Sequence, residues 1–271
     1  YSLIQVDVDS TISVTASYTD LQGTAESVSS SATSAVANVN DAPVLNAPTA
    51  GSITEDSNAS TTTTSNLSGT LSASDADGDS IAYGISAVTP TDGVSTLAGT
   101  FGSLSVTTTT GAYSYTPNSS AVEALDASDT ASDAFSITAT DGVESTSDTY
   151  TVNLTGADDA SIITADSSGS LTEDSDTDVV TGSIAITDVD NDDNPSFSDL
   201  SSTTTSNGYG SYSLSSGTWS YTLTDPPALG HGESTTDTFT LTATDNSTQL
   251  ITITINGANN APVLNTPTAG S

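Results

Sequence analysis

Asp133-Ala-Phe-Ser-Ile-Thr-Ala-Thr-Asp-Gly142 returns further along the chain as Asp237-Thr-Phe-Thr-Leu-Thr-Ala-Thr-Asp-Asn246. In both copies an apolar or small side chain alternates with a hydroxyl. Phe135, Ile137 and Ala139 are separated by Ser136 and Thr138; Phe239, Leu241 and Ala243 are separated by Thr240 and Thr242. A period of two turns one face of an extended strand to a core and the other to water. Tyr150, Val152 and Leu154 follow the same rule, as do Ile251, Ile253 and Ile255. Threonine suits the wet positions because its branched side chain fits a pleated surface. No stretch carries a convincing helical stripe, so the chain reads as all-β, with half-buried antiparallel strands.

The repetition extends well beyond that strand. Asn40-Asp-Ala-Pro-Val-Leu-Asn-Ala-Pro-Thr-Ala-Gly-Ser52 recurs as Asn259-Asn-Ala-Pro-Val-Leu-Asn-Thr-Pro-Thr-Ala-Gly-Ser271, with a weaker copy at Ala157-Asp-Asp-Ala160. Acidic pairs follow at Thr54-Glu-Asp56 and Thr172-Glu-Asp174, then acidic loops at Ser74-Asp-Ala-Asp-Gly-Asp79 and Thr187-Asp-Val-Asp-Asn-Asp192. Aromatic strands come next, Ala112-Tyr-Ser-Tyr-Thr116 and Thr218-Trp-Ser-Tyr-Thr222. Fixed-order recurrence of this kind marks a tandem array. Two full units are expected at residues 40–158 and 159–258. Residues 1–39 read as the C-terminal part of a preceding unit, and residues 259–271 as a linker and the start of a following one. Several short strands in about 100 residues predict a β-sandwich for each unit.

Composition narrows what such an array can do. The 271 residues hold no Lys or Arg and 34 Asp and Glu, a formal net charge of −34. A chain of this length ordinarily carries roughly 30 basic residues. Nucleic acid is excluded as a partner, because phosphate contacts need Lys or Arg. The chain has no Cys, so it has neither disulfides nor thiol chemistry. No apolar run reaches the roughly 18 residues of a membrane span. Ordinary internal salt bridges are absent too, which leaves cations from outside to balance the carboxylates.

The carboxylates are arranged as if for that purpose. Asp75, Asp77 and Asp79 alternate on a Gly-containing loop, where they repel one another unless something positive lies between them. A hard divalent cation takes six to eight oxygens at about 2.3–2.6 Å, and alternating acids in a turn can converge on one. The spacing opens like an EF-hand loop, but the Glu at the twelfth position and the flanking helices of that motif are missing.

The ordered set of proline-ended linker, early Glu, Asp-x-Asp loop, acidic turn and Ala-x-Asp-Gly resembles the cadherin repeat. Gly111-Ala-Tyr-Ser-Tyr through Asp133–Gly142 is similar, more specifically, to the VCBS repeat, a bacterial cadherin-like module of giant secreted and surface adhesins. The resemblance implies tandem Ig/cadherin-like sandwiches arranged as an extended rod, with Ca²⁺ between successive repeats. Carried over by position, it places Asp7, Asp9, Asn38, Asn40, Asp41, Asp75, Asp77 and Asp141 at a first junction. A second takes Glu55, Asp133, Asp158, Asp159, Asp188, Asp190 and Asp245. A third takes Glu173, Asp237, Asn259 and Asn260, weakened where Asn replaces the linker acids. Asp126, Asp129 and Asp133 all compete for the acidic turn, and Asp79, Asp192 and Asp193 exceed the family set.

The function implied is a non-catalytic segment of an extracellular or cell-surface bacterial adhesin or stalk, secreted, rigidified by Ca²⁺ and serving adhesion or biofilm. Its partners are neighbouring repeats, with cell-surface or matrix glycans beyond them. Two alternatives remain open: a subunit of an extracellular filament built from copies by strand or half-domain complementation, and a carbohydrate-binding module using Trp219 and Tyr221. Catalysis finds little support. His231 is the single histidine, no Gly-x-Ser-x-Gly elbow exists, and the paired acids sit in loops that repeat.

Overall fold

A computed structural model describes residues 1–57, 62–174 and 178–259. Half of the described residues are strand and 3% are helix. The chain divides into two compact units, the first comprising 1–55, 61–122 and 128–156, the second 56–60, 123–127 and 157–271.

Unit 1 begins with a 3-10 turn at Gln5–Asp7 and a hairpin of β1 (Thr15–Thr19) and β2 (Ala25–Ser29). All ten hairpin residues are exposed. There follow β3 (Val44–Leu45), β4 (Gly51–Glu55), β5 (Thr62–Ser65), β6 (Ser68–Thr70), β7 (Ala73–Ser74), β8 (Ala82–Ile85), β9 (Val94–Ala98), β10 (Gly102–Thr107) and β11 (Ala112–Pro117). A single helical turn, α1 (Ser119–Val122), precedes the long strands β12 (Thr130–Thr140) and β13 (Ser145–Thr155). One sheet has the order β6-β11-β10-β9 and the other β5-β4-β13-β12-β8, while β3 pairs with β7. The alternation expected for Phe135, Ile137 and Ala139, and for Tyr150, Val152 and Leu154, is observed, each being 2% exposed or less. Tyr115 meets Phe135 edge-on between the sheets, with ring centroids 6.0 Å apart.

Unit 2 repeats the plan with β14 (Ile162–Ala165), β15 (Ser168–Thr172), β16 (Val179–Thr187), β17 (Leu200–Thr204), β18 (Gly210–Ser215), β19 (Thr218–Leu223), β20 (Ser234–Thr242) and β21 (Thr248–Asn256). Its sheets are β14-β16-β19-β18-β17 and β15-β21-β20. Trp219 and Tyr221 are fully buried, so neither offers the sugar-stacking platform considered from sequence. Room for the indole comes from Gly182, directly opposite Trp219 in the ladder, where any Cβ would strike the ring. The Trp219 Nε1 donates to Asp166 O at 3.0 Å, satisfying its one polar atom.

Most strand pairs are antiparallel, with one exception in each unit. β4 runs parallel to β13, and β15 parallel to β21. An early strand of each unit therefore pairs with its last.

Burial raises the ionisation of three core phenols. Tyr150 is pushed up to about 12 by burial, with Tyr113 nearby. Tyr115 and Tyr221 go higher, through burial and then hydrogen bonding to Asp133 and Asp237. A group whose folded pKa is raised adds stability below its unfolded value, near 10, and that stability is lost as pH climbs. With no Lys, Arg or Cys present, tyrosines dominate titration there. Alkaline unfolding should begin near pH 10 and steepen by about 1.4 kcal/mol per pH unit for each buried phenol. Tyrosinate absorbance against pH checks this, and Tyr221→Phe should make the loss shallower.

Candidate metal centres

Unit 1 gathers its acids around the Asp75–Asp79 loop. Gly78, at φ +79°, lets the backbone turn between Asp77 and Asp79. One oxygen each from Asp75, Asp77 and Asp79 lie within 4.8 Å of one another. That spacing matches oxygens on opposite sides of a Ca²⁺ ion at about 2.4 Å from each. Asp75 Oδ1 accepts the N–H groups of Asp77 (2.9 Å) and Asp79 (3.3 Å), while its Oδ2 is enclosed without a hydrogen-bond partner.

Several residues expected at the first junction converge here. Asp77 Oδ2 accepts the Asp41 N–H at 2.7 Å. Gln5 Nε2 donates to both Asp77 Oδ1 (2.7 Å) and Asn38 Oδ1 (3.2 Å). Asn40 Nδ2 donates to Asp141 Oδ2 at 2.9 Å. The Glu144 and Val143 N–H groups, then Asn40, hold the Asp141 carboxyl below the usual range. Asp9 is tied by its N–H to Val36 O at 3.0 Å, and its φ of +61° makes the turn. Asp7 is buried, and both its oxygens accept the Tyr1 hydroxyl at 2.6 Å, which lowers its pKa.

The second centre, within unit 2, is denser. Asp158, Asp190 and Asp193 also bring one oxygen each within 4.8 Å of one another. Asp159 N–H donates to Asp190 Oδ2 (2.8 Å), and Asp190 N–H to Asp188 Oδ1 (3.0 Å), so the linker and loop acids interlock. A basin of about 440 Å³ is lined by Asp158, Asp159, Asp188, Asp193 and Asp245. Asp245 is the quiet member: Ser161 and Ser247 hold its carboxyl low.

Carboxyls in and beside this centre are pushed up. Burial raises Glu123, followed by Asp159 and Asp56; burial raises Asp159, followed by Asp188, Asp56 and Asp158. Asp190 is raised by burial, against the Asp159 N–H, and by Asp188, Asp159 and Asp126. Asp193 is raised by burial and by Asp126, Asp188, Asp158 and Asp192. Glu123 Oε2, Asp159 Oδ2 and Asp190 Oδ1 are enclosed and accept no hydrogen bond. Buried unpaired carboxylate oxygens are costly without a positive partner. The donor set is all oxygen, as a hard divalent cation requires.

Some predicted ligands lie elsewhere. Asp133 sits within β12 rather than on a turn, 5% exposed. It accepts the Tyr115 hydroxyl (2.7 Å) and the N–H groups of Thr100 (2.8 Å) and Phe101 (3.0 Å). Asp237 in β20 is fully buried and accepts hydrogen bonds from Thr205 Oγ1 (2.6 Å) and Tyr221 Oη (2.9 Å). Glu173 accepts the Leu229 and Ala258 N–H groups at 3.3–3.4 Å. Glu55 is buried at the end of β4, and Asn259 is exposed. Asn260 lies outside the described residues. In the other direction, sequence reasoning missed Glu123 and Asp56. Glu123 lies inside the apolar run Ala121-Val-Glu-Ala-Leu125, which was its only signal.

Residues 40–156 match the family model of the bacterial cadherin-like domain. Among solved structures the chain is similar to PcdhgB3 EC1-4 (14% identical, TM-score 0.35, covering 92% of this chain and 65% of that one). Human protocadherin-24 EC1-2 is 17% identical with a TM-score of 0.30, covering 82% and 100% respectively. An endo-fucoidan hydrolase of glycoside hydrolase family 107 is 15% identical with a TM-score of 0.26, covering 94% of this chain and 35% of that one. No curated protein matches the chain. Among the described residues, no helix is long and apolar enough to cross a membrane.

Proposed function

We propose that the chain is a non-catalytic structural segment of an extracellular bacterial adhesin or stalk, an extended rod whose repeats are stiffened by Ca²⁺ at their linkers. The observation that carries this reading is the set of enclosed, unpartnered carboxylate oxygens on Glu123, Asp159 and Asp190 in a chain without Lys or Arg. Asp158, Asp188, Asp190 and Asp193 would hold one ion, and Asp75, Asp77 and Asp79 another, with Asp41 and Asn38 beside them. Bound Ca²⁺ supplies positive charge that cancels mutual repulsion among these acids. The protein's own part is to hold loop and linker in one register, as the Asp159 to Asp190 and Asp41 to Asp77 hydrogen bonds do. The bacterial cadherin-like match over 40–156 supports an adhesion-type module.

Calorimetric titration of the full chain at neutral pH tests the reading. Saturable Ca²⁺ binding is expected with Kd of roughly 10⁻⁴–10⁻³ M, the range of extracellular modules. Asp190→Asn should weaken the unit 2 site at least tenfold. A chain that takes up no calcium at about 10 mM, well above that range, is not this kind of segment.

A further inference from the structure

We propose that the outer edge of β20 in unit 2 is a strand-accepting site for an extended segment of another protein, one with apolar inward residues and basic outward ones. The comparison of the two units carries the idea. In unit 1 the corresponding strand, β12, is covered by β8, with Ile85 opposite Ile137 and Tyr83 opposite Ala139. Ile85 is 3% exposed and completes the core. In unit 2, among the described residues, β20 has β21 on one side and no strand on the other.

The reason is a single residue type. The segment that should cover β20 starts correctly, since Thr244 N–H donates to Ser196 O at 3.0 Å and Phe197 packs on the core. Aligned on that bond, Asp199 falls where unit 1 has Ile85. A carboxylate cannot fill a buried apolar position. Asp199 instead accepts the Ser216 N–H at 2.7 Å, and the chain leaves the edge.

What remains is a prepared slot. Ser136 O in unit 1 accepts from Ser86 at 2.8 Å, and Thr240 is its counterpart. Strand alternation therefore turns the backbone groups of Thr240 and Thr242 outward, ready for an antiparallel partner. Beside them opens a cleft of about 380 Å³, where Tyr212 stacks on Phe239 with centroids 4.3 Å apart. No carboxylate lines that cleft, so an apolar side chain can enter it. Charge selects the source: a second copy brings another −34 and is repelled, whereas a basic strand is drawn to this surface.

The probe is the peptide Lys-Ile-Lys-Tyr-Gly-Ile-Lys, which keeps the inward pattern of Ile81, Tyr83 and Ile85. It is titrated into the full chain with amide shifts of Thr238–Thr242 as the readout. Saturable shifts at those residues are expected, at least tenfold tighter than for the same peptide with Glu in place of Lys. Thr240→Pro should abolish them while leaving the β20–β21 ladder intact, because the lost N–H faces away from β21. Asp199→Ile should abolish them as well, by letting residues 196–199 zip onto the edge. Absence of saturable binding overturns the proposal. So does binding that survives both variants, or an uncharged oligosaccharide that displaces the peptide.

Discussion

Transfer from calcium at about 100 times the site's Kd, on the order of 10 mM or more, to EDTA is expected to lower the melting temperature of unit 2 by roughly 10–20 °C. A ligand present at 100 times its Kd and bound only to the folded state stabilises it by about 2.7 kcal/mol. For a domain of about 100 residues, each kcal/mol is worth roughly 4–8 °C. Unit 2 should respond more than unit 1, because Asp159 and Asp190 are 6% and 3% exposed and each has an enclosed oxygen without a partner. In unit 1 Asp75 and Asp77 are only half-buried and Asp79 is exposed, so water and salt screen them and their carboxyls cost less when left alone. Trp219 is the chain's one tryptophan and lies in the unit 2 core, so its fluorescence follows that unit separately. Sodium chloride at physiological strength should restore little of the loss, since screening does not reach enclosed groups well. Identical melting curves in calcium and EDTA would sink the calcium reading.

Asp237→Ala is expected to cost about 3–5 kcal/mol, the range for removing one partner from a buried charged network. The substitution strips the acceptor from the buried Tyr221 hydroxyl, leaves Thr205 only its longer bond to Gly210 O, and opens space beneath β18 and β19. Asp133→Ala should be comparably severe, because it leaves two backbone N–H groups and the Tyr115 hydroxyl unanswered. Chemical denaturation gives the size of the effect. Asp237→Asn separates a structural role from a metal role: it keeps an acceptor oxygen and most of the shape, so the fold survives with a smaller loss. Its calcium affinity should equal the parent's, and a tenfold fall would return Asp237 to the ligand set.

Those two aspartates mark where the sequence misleads. The alternation around Phe135 and Phe239 is a local property, and it located β12 and β20 together with their buried faces. The turns that carry Asp41, Asp77, Asp158 and Asp190 were also legible, because Gly, Asn and Pro around them specify turns. An acid at the start of a strand looks the same on paper whether it faces water or a tyrosine one sheet away. Only packing brings Tyr115 to Asp133 and Tyr221 to Asp237. Glu123 was hidden for the converse reason, as a carboxylate in an apolar run whose partners lie far along the chain. The loss of a covering strand in unit 2 was equally unreadable, since Asp199 matters only once it is set against Ile85.

The parallel pairings of β4 with β13 and of β15 with β21 bear on how each unit answers to force. Where an early strand and the last strand of a domain lie side by side in the same direction, tension between the start of the one and the end of the other acts along their shared ladder. Tension applied there slides the strands along one another and loads all of their shared hydrogen bonds at once. An antiparallel terminal pair would instead peel open one bond at a time. Each unit is thus wired to resist pulling in shear.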